Sequence, residues 1–370
     1  MELKIDALLR VMNDERSSDL FLSVGIEPCL KVNGRLRTLG SVRLDDGMVL
    51  EFIREIMTAT QYERYCSTHE ANFAIQRPGL GRYRISCFWQ MGSPGLVCRR
   101  IVTEIPTIEE LFLPGILREL GIAKRGLLLF VGATGAGKST TQAAMIGYRN
   151  QTTDGHILTV EDPVEFVHHH GRSLVTQREV GSDTDSFDAA LKSALRQAPD
   201  VILLGEIRSR ETMEFALSFA ETGHLCLATL HANNANQALE RILHLVPVEK
   251  HRQLLYDLSF NLRGIVAQQL IPTRDGQGRR AAFELLINTP LVQEIIMKGE
   301  MHRLKEVMSK SREQGMVTFD QSLFDLYRQG VIGYNEALAH ADSPNDVRLM
   351  IKLDGGVSPD AGTLSNVSVE

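Results

Sequence analysis

The rhythm of apolar residues along this chain changes near residue 126. The opening MELKIDALLRVM places Ile5, Leu8, Leu9 and Met12 at helical spacing with charges between them. That spacing predicts an amphipathic helix and not a secretory signal. Short apolar segments follow, among them DLFLSV and RYRISCFWQ, with Gly34 and Gly79 to Gly81 as turn signals. Residues 1–100 therefore read as a small α+β domain. The stretch IVTEIPTIEELFLPG, with Pro106 and Pro114, suits a connector over residues 101–122.

From Gly126 the apolar runs become continuous: Leu127–Val131, Ile157–Val160, Val201–Leu204 and Leu225–Ala228. Runs of this kind between helix-like segments predict strands buried on both faces of a mostly parallel α/β sheet. This core is placed at residues 123–270. Helical patterns dominate from about Leu239, and residues 271–353 read as mainly helical. There TFDQSLFDLYRQG carries Phe319, Leu323, Phe324 and Tyr327 on one face, and Gly330 stops it. Residues 354–370 are small, polar and poor in core formers, which predicts a disordered tail. No internal repeat is visible.

Composition narrows the function. A formal net charge of −6 gives no broad nucleic-acid surface, and aromatics are sparse and not interleaved with basic runs. No apolar run is long enough to span a bilayer, so a cytoplasmic location is expected. The five cysteines, Cys29, Cys66, Cys87, Cys98 and Cys226, form no close pair and predict reduced, mostly buried thiols. His168 to His170 are adjacent on an extended segment, where side chains point apart, which disfavours a metal site.

The first strand of the α/β core runs into GATGAGKSTT. It fits the phosphate-loop pattern through Gly132, Gly137, Lys138 and Ser139 in a strand–loop–helix setting. Gly132, Ala133, Thr134, Gly135, Ala136, Gly137, Lys138, Ser139 and Thr140 are the expected nucleotide contacts. Backbone N–H groups and the helix N-terminus would face the phosphates, Lys138 the β- and γ-phosphates of ATP, and Ser139 a Mg²⁺ ion. APDVILLGEIRSRE ends its strand in Gly205 and Glu206, and Glu206 is long enough to reach that ion through a water. EDPVEF supplies Glu161, Asp162 and Glu165; a carboxylate at the mouth of a strand beside the phosphate loop would orient the attacking water.

In order and spacing, GATGAGKSTT, TVEDPVEF, LRQAPDVILLGEIRSRE and ETGHLCLATLHANNA resemble the Walker A, Asp-box, Walker B and His-box motifs of secretion-superfamily ATPases. Over nearly all of residues 1–353 the chain is similar to the type IV pilus retraction ATPases, PilT and PilU. The resemblance implies a PAS-like α+β domain, marked by Asp19, Gly25, Pro28 and Gly34, followed by a RecA-like P-loop ATPase domain with a helical C-terminal part. It implies Glu161 as the water-activating base, Glu206 at the Walker B position, and His231, with His224, at the γ-phosphate. Arg84 and Arg99 match arginines that reach the nucleotide. The implied assembly is a homohexamer at the cytoplasmic face of the inner membrane, acting on a pilus platform protein by rotation of one domain against the other.

Two departures stand out. Ser209 replaces an aspartate common in relatives, which would loosen a contact with Arg196 or Arg210. In LVQEIIMKGE, Gln293 and Met297 stand where the retraction motif AIRNLIREGK has arginines. These losses point to the PilU branch, which assists a paralogous retraction ATPase, PilT. The alternatives are a type II secretion or pilus-extension ATPase, whose four-cysteine zinc insert is missing here, and a nucleotide-binding scaffold without turnover.

Overall fold

A computed structural model describes residues 4–32, 35–101 and 104–355. Gly34, Val102 and Thr103 of the connector, and residues 356–370 of the expected tail lie outside the described residues. The chain divides into two compact units. One comprises Met1–Ile105 with Pro163–Val167 and Gly181–Asp183; the other comprises Pro106–Asp162, His168–Val180 and Thr184–Glu370.

The first unit holds α1 (Ile5–Asp14), β1 (Asp19–Ser23), β2 (Cys29–Val32), β3 (Arg35–Thr38), α2 (Asp46–Ile56) and α3 (Ala59–Thr68). Then come β4 (Glu70–Arg77), β5 (Gly81–Gln90) and β6 (Ser93–Ile101). The strands form an antiparallel sheet in the order β3-β2-β1-β6-β5-β4. Alternation decides which side is covered: Tyr83, Ile85 and Cys87 of β5 are buried, while Arg84 between them is exposed. The buried face packs on the stripe Ile5, Leu8, Leu9 and Met12 of α1 and on Phe52 and Ile53 of α2.

The second unit begins with α4 (Ile116–Gly121), β7 (Gly126–Val131), α5 (Lys138–Thr152), β8 (Gly155–Glu161), β9 (Ser173–Glu179) and α6 (Phe187–Ala194). It continues with β10 (Val201–Leu204), α7 (Arg210–Glu221), β11 (Leu225–Leu230), α8 (Ala235–Leu243) and α9 (His251–Asn261). After β12 (Leu262–Pro272) and β13 (Arg279–Ile287) the remainder is helical: α10 (Pro290–Lys298), α11 (Leu304–Lys310), α12 (Phe319–Arg328), α13 (Tyr334–Ala339) and α14 (Pro344–Leu353). The sheet therefore runs past residue 270, where the sequence reading closed the core, and β13 lies in the stretch expected to be mainly helical.

The sheet order is β13-β12-β7-β11-β10-β8-β9, parallel except for β13. Leu127, Leu129 and Val131 of β7 enter one hydrophobic core, and Leu128 and Phe130 enter another on the opposite face. Burial on both faces explains the unbroken apolar run. The order also corrects an expectation. The strands beside β7 are β11 and β12, whereas β10 and β8, which carry the acids, stand two and three places away.

Candidate nucleotide site

Parallel pairing brings the strand ends that matter to one edge. Val131 lies level with Leu230, Ala228 with Leu204, and Leu204 with Val160. The residues that follow, Gly132, His231, Glu206 and Glu161, thus leave the sheet at its C-terminal edge, where open α/β sheets bind ligands. His224 does not join them. It precedes β11, and its carbonyl accepts from the Gly126 N–H at the start of β7. A six-residue strand puts that end roughly 20 Å from His231, which overturns the assignment of His224 to the γ-phosphate.

The phosphate loop is shaped by two close approaches. At Gly132, with φ 148°, a Cβ would stand 2.5 Å from the Gln268 carbonyl oxygen. At Gly137, with φ 89°, it would stand 2.7 Å from the Gln268 amide nitrogen. At Gly132 the obstacle is backbone, so packing and conformation both demand glycine, whereas at Gly137 it is the end of a side chain and the positive φ is what calls for glycine. Gln268 is 3% exposed, and its Oε1 accepts from the Thr141 hydroxyl at 2.8 Å. One buried side chain of β12 thereby fixes the loop and the first turn of α5. Sequence reasoning missed it, although a polar residue inside the apolar run GIVAQQLIP was its signal.

Helix α5 starts after Gly137 with no side-chain cap, leaving its first N–H groups for an anion. The Lys138 ammonium donates to the carbonyls of Gly132 and Ala133 at 2.8 and 2.9 Å. Ala133, Thr134 and Gly135 are exposed, Ala136 is buried, and Ser139 and Thr140 are half-buried in the first turn. The residues fit a polyphosphate: backbone donors, a cation and a helix N-terminus converge there.

Glu206 is held from two sides. His231 Nε2 lies 2.9 Å from Oε1, and Arg208 Nε donates to Oε2 at 2.5 Å. The Thr229 hydroxyl donates to the Gly205 carbonyl, and Ile207 N–H donates to the Thr229 carbonyl at 2.8 Å, tying this loop to β11. Arg208 had no assigned role in the sequence, because its pairing with a residue two positions back depends on the loop's path.

Glu161 ends β8, with its Oε1 accepting from the Thr159 hydroxyl at 2.7 Å and, at a longer 3.5 Å, from the Gln177 amide. A Cβ on Gly205 would lie 3.2 Å from the Glu161 Cα, so the glycine between strand and acid lets these loops pass closely. Asp162 and Glu165 are exposed. Ser209 caps α7 by accepting from the Thr212 N–H, and Arg210 pairs with Glu214 at 2.7 Å. Serine and aspartate both serve as N-caps, so the departure at Ser209 preserves the helix start.

In the first unit, Arg84 and Arg99 face each other across β5 and β6. Arg99 Nε donates to Asp19 at 2.7 Å, and the Asp19 side chain is 5% exposed. Among the described residues Arg84 has no carboxylate partner. The five cysteines are free, and all but Cys66 are buried. His168 is buried, and desolvation followed by the charge of His169 lowers its pKa to about 4. Among the described residues no group of three or more His, Cys, Asp or Glu gathers as a metal site, and no helix is long and apolar enough to cross a membrane.

A family model described as type II/IV secretion system protein matches residues 116–339. Over 366 residues the chain is 57% identical to the type IV pilus ATPase PilU of Pseudomonas aeruginosa, spanning 99% of this chain and 95% of that protein. It is 38% identical over 344 residues to the pilus retraction ATPase PilT of the same organism, spanning 93% and 100%. The crystal structure of the pilus retraction motor PilT with bound ADP superposes with a TM-score of 0.89 at 37% identity, over 94% of this chain and all of that one. With the four motifs at one sheet edge and similarity along nearly its whole length, the chain belongs to the type IV pilus retraction ATPases, RecA-like ATPases preceded by an N-terminal domain.

Proposed function

We propose that this protein is a Mg²⁺-dependent ATPase that works as a cytoplasmic homohexamer and assists a PilT-type motor in pilus retraction. The observation that supports it most is the convergence of the open α5 N-terminus, Glu206, His231 and Glu161 on one edge of the sheet. Lys138 exchanges its two loop carbonyls for the β- and γ-phosphates. Ser139 and Glu206 offer hard oxygen donors suited to Mg²⁺, with Glu206 acting through a water because both its oxygens are engaged. Bound there, Mg²⁺ supplies charge neutralisation of the phosphates. Glu161, anchored through Oε1, accepts a proton from the attacking water, and His231, oriented by Glu206, contacts the γ-phosphate.

Like charges opposite each other on a sheet are unfavourable. Asp19 offsets Arg99, and the uncompensated Arg84 suits an anion brought by a neighbouring subunit, in keeping with a trans-acting arginine pair. The accessory role rests on the 57% identity to PilU against 38% to PilT, and on Gln293 and Met297 in α10. The platform protein of the inner membrane and PilT are the expected partners.

Steady-state ATP turnover of the purified protein, with and without PilT, tests this. Lys138→Ala and Glu161→Ala should each lower turnover about 100-fold or more. A wild-type protein that turns over no ATP in either setting would rule out the motor and leave a nucleotide-binding scaffold.

A further inference from the structure

His231 leaves β11 beside Glu206, and only Ala232, Asn233 and Asn234 stand between it and α8. A loop this short takes its path from its two ends. At the strand end the Ala232 N–H donates to the Leu230 carbonyl at 3.1 Å. At the helix end Asn234 caps α8, its side chain accepting from the Gln237 N–H at 2.9 Å. The next donor, the Ala235 N–H, is one of those that every helix start leaves without an intrahelical partner. Ala235 is 0% exposed, so its acceptor has to come from the protein. That acceptor is Glu284 Oε1, at 2.8 Å and 49 residues away in the chain.

The surroundings of Glu284 do not otherwise call for an acid. Phe283, Leu285 and Leu286 beside it on β13 are buried apolar residues, and across the sheet it faces Ala267. A carboxyl group costs free energy to bury in such a place. Two further acids stand near it. Lys305 Nζ lies 3.2 Å from Asp320 and 3.0 Å from Asp342, and Asp320 Oδ1 accepts the N–H groups of Asp342 and Ser343 at 2.8 and 3.1 Å. Asp342 and Asp320 repel a charge on Glu284, and Lys305 attracts it. One lysine thus serves three acids, where α11, α12 and the turn before α14 come together. What Glu284 gains in return is its hold on Ala235.

We propose that Glu284 is a positioning residue for ATP hydrolysis, which acts through the Ala235 N–H to hold the loop that carries His231. The proposal rests on the ATPase reading above, in which His231 contacts the γ-phosphate. The phosphate loop and Lys138 hold the nucleotide without help from Glu284. Loosening this clamp therefore misplaces His231 and leaves nucleotide affinity alone. A displacement of about 1 Å, even from a change far from the chemistry, can cost on the order of 100-fold in turnover. The clamp needs an acceptor at Oε1 and no charge, and a glutamine supplies that acceptor equally.

The test uses the full-length protein and reads melting temperature, kcat and the KM for ATP. Glu284→Gln keeps the acceptor and should keep kcat. Glu284→Ala leaves the Ala235 N–H buried without a partner, so the melting temperature should fall. Its kcat should fall by about 10-fold or more at unchanged KM. Adding Ala235→Pro separates the two effects. Proline is favoured at the first position of a helix, and Asn234 before it is already extended, with φ −150° and ψ 178°. In the double variant Glu284→Ala with Ala235→Pro neither partner remains and no donor is orphaned. Its melting temperature should recover toward the wild-type value while kcat stays low. A kcat that recovers with the melting temperature would show that Glu284 serves the fold alone. A loss that falls on KM, or a folded Glu284→Gln variant as slow as Glu284→Ala, would equally overturn the clamp. A wild type that turns over no ATP would instead defeat the underlying ATPase reading, and this proposal with it.

Discussion

Glu284 shows how much a single buried side chain settles in this molecule. It is 2% exposed on β13, and its Oε1 accepts the Ala235 N–H at 2.8 Å, where α8 begins four residues after His231. Burial first, then Asp342 and Asp320, raises its pKa from the ordinary 4.5 to about 7, against the opposing effects of the Ala235 N–H and Lys305. The folded state therefore holds this proton more tightly than the unfolded chain does. The resulting stabilisation is complete below pH 4.5 and is lost as pH rises through about 7. Glu284→Gln keeps the acceptor for Ala235 and removes the charge. Urea denaturation at pH 8 should find the variant more stable, by on the order of 1–3 kcal/mol, with the difference vanishing toward pH 5. A variant less stable at pH 8 would mean that the carboxylate charge itself supports the fold.

At the scale of elements, legibility followed locality. The α1 stripe reads directly because its burial repeats every three to four residues, and Ile5, Leu8, Leu9 and Met12 are all buried. The start of α12 is equally local, a capping box in which Thr318 precedes Phe319 and Gln321 follows it within the first turn. The run of β7 reads as strand because Gly126 and the glycine loop bound it. In contrast, β12 and β13 lie where helical patterns were expected, since a long apolar run does not separate a buried strand from a buried helix. Strand order is set by crossovers remote in sequence, which is why the acids of β8 and β10 were placed too near β7. The pairing of His231 with Glu206 and the grip of Gln268 on the loop depend on that order as well.

Helix α10 gives this scale its prediction. Val292, Ile295 and Ile296 face the core, Met297 is 44% exposed, and Gln293 lies one turn before it, half-buried. Arginine at 297 would sit in the last turn, where the helix dipole favours a cation, three residues after Glu294. Gln293→Arg with Met297→Arg should leave the melting temperature within about 2 °C and preserve ATP turnover. If the accessory role proposed above holds, the double variant should support twitching motility in cells lacking PilT, where the wild type should not. Failure to gain it would show that these two positions do not set dependence on the partner.

The whole molecule carries separate hydrophobic cores in its two units. Leu20, Phe52, Tyr65 and Ile85 belong to the first, whereas Leu129, Leu158, Leu204 and Leu230 belong to the second. The phosphate loop, Glu161, Glu206 and His231 all lie in the second. A nucleotide bound to these groups stabilises the unit that holds them, and reaches the first only as far as the two unfold together. Calorimetry of the full chain should resolve two transitions, with one responding to ADP and Mg²⁺. At 100 times the dissociation constant that transition gains about 2.7 kcal/mol, a rise of roughly 5–10 °C for a unit of this size. Lys138→Ala should remove the rise and leave the other transition in place. If the proposed hexamer forms and Arg84 and Arg99 reach a neighbour's nucleotide, the assembly also links the first unit to the ligand. Its transition should then move with ADP at protein concentrations where the ring is assembled and stop moving on dilution. A single transition that shifts as one at every concentration would mean that the units form one cooperative body, and the idea of separately stabilised units would have to be abandoned.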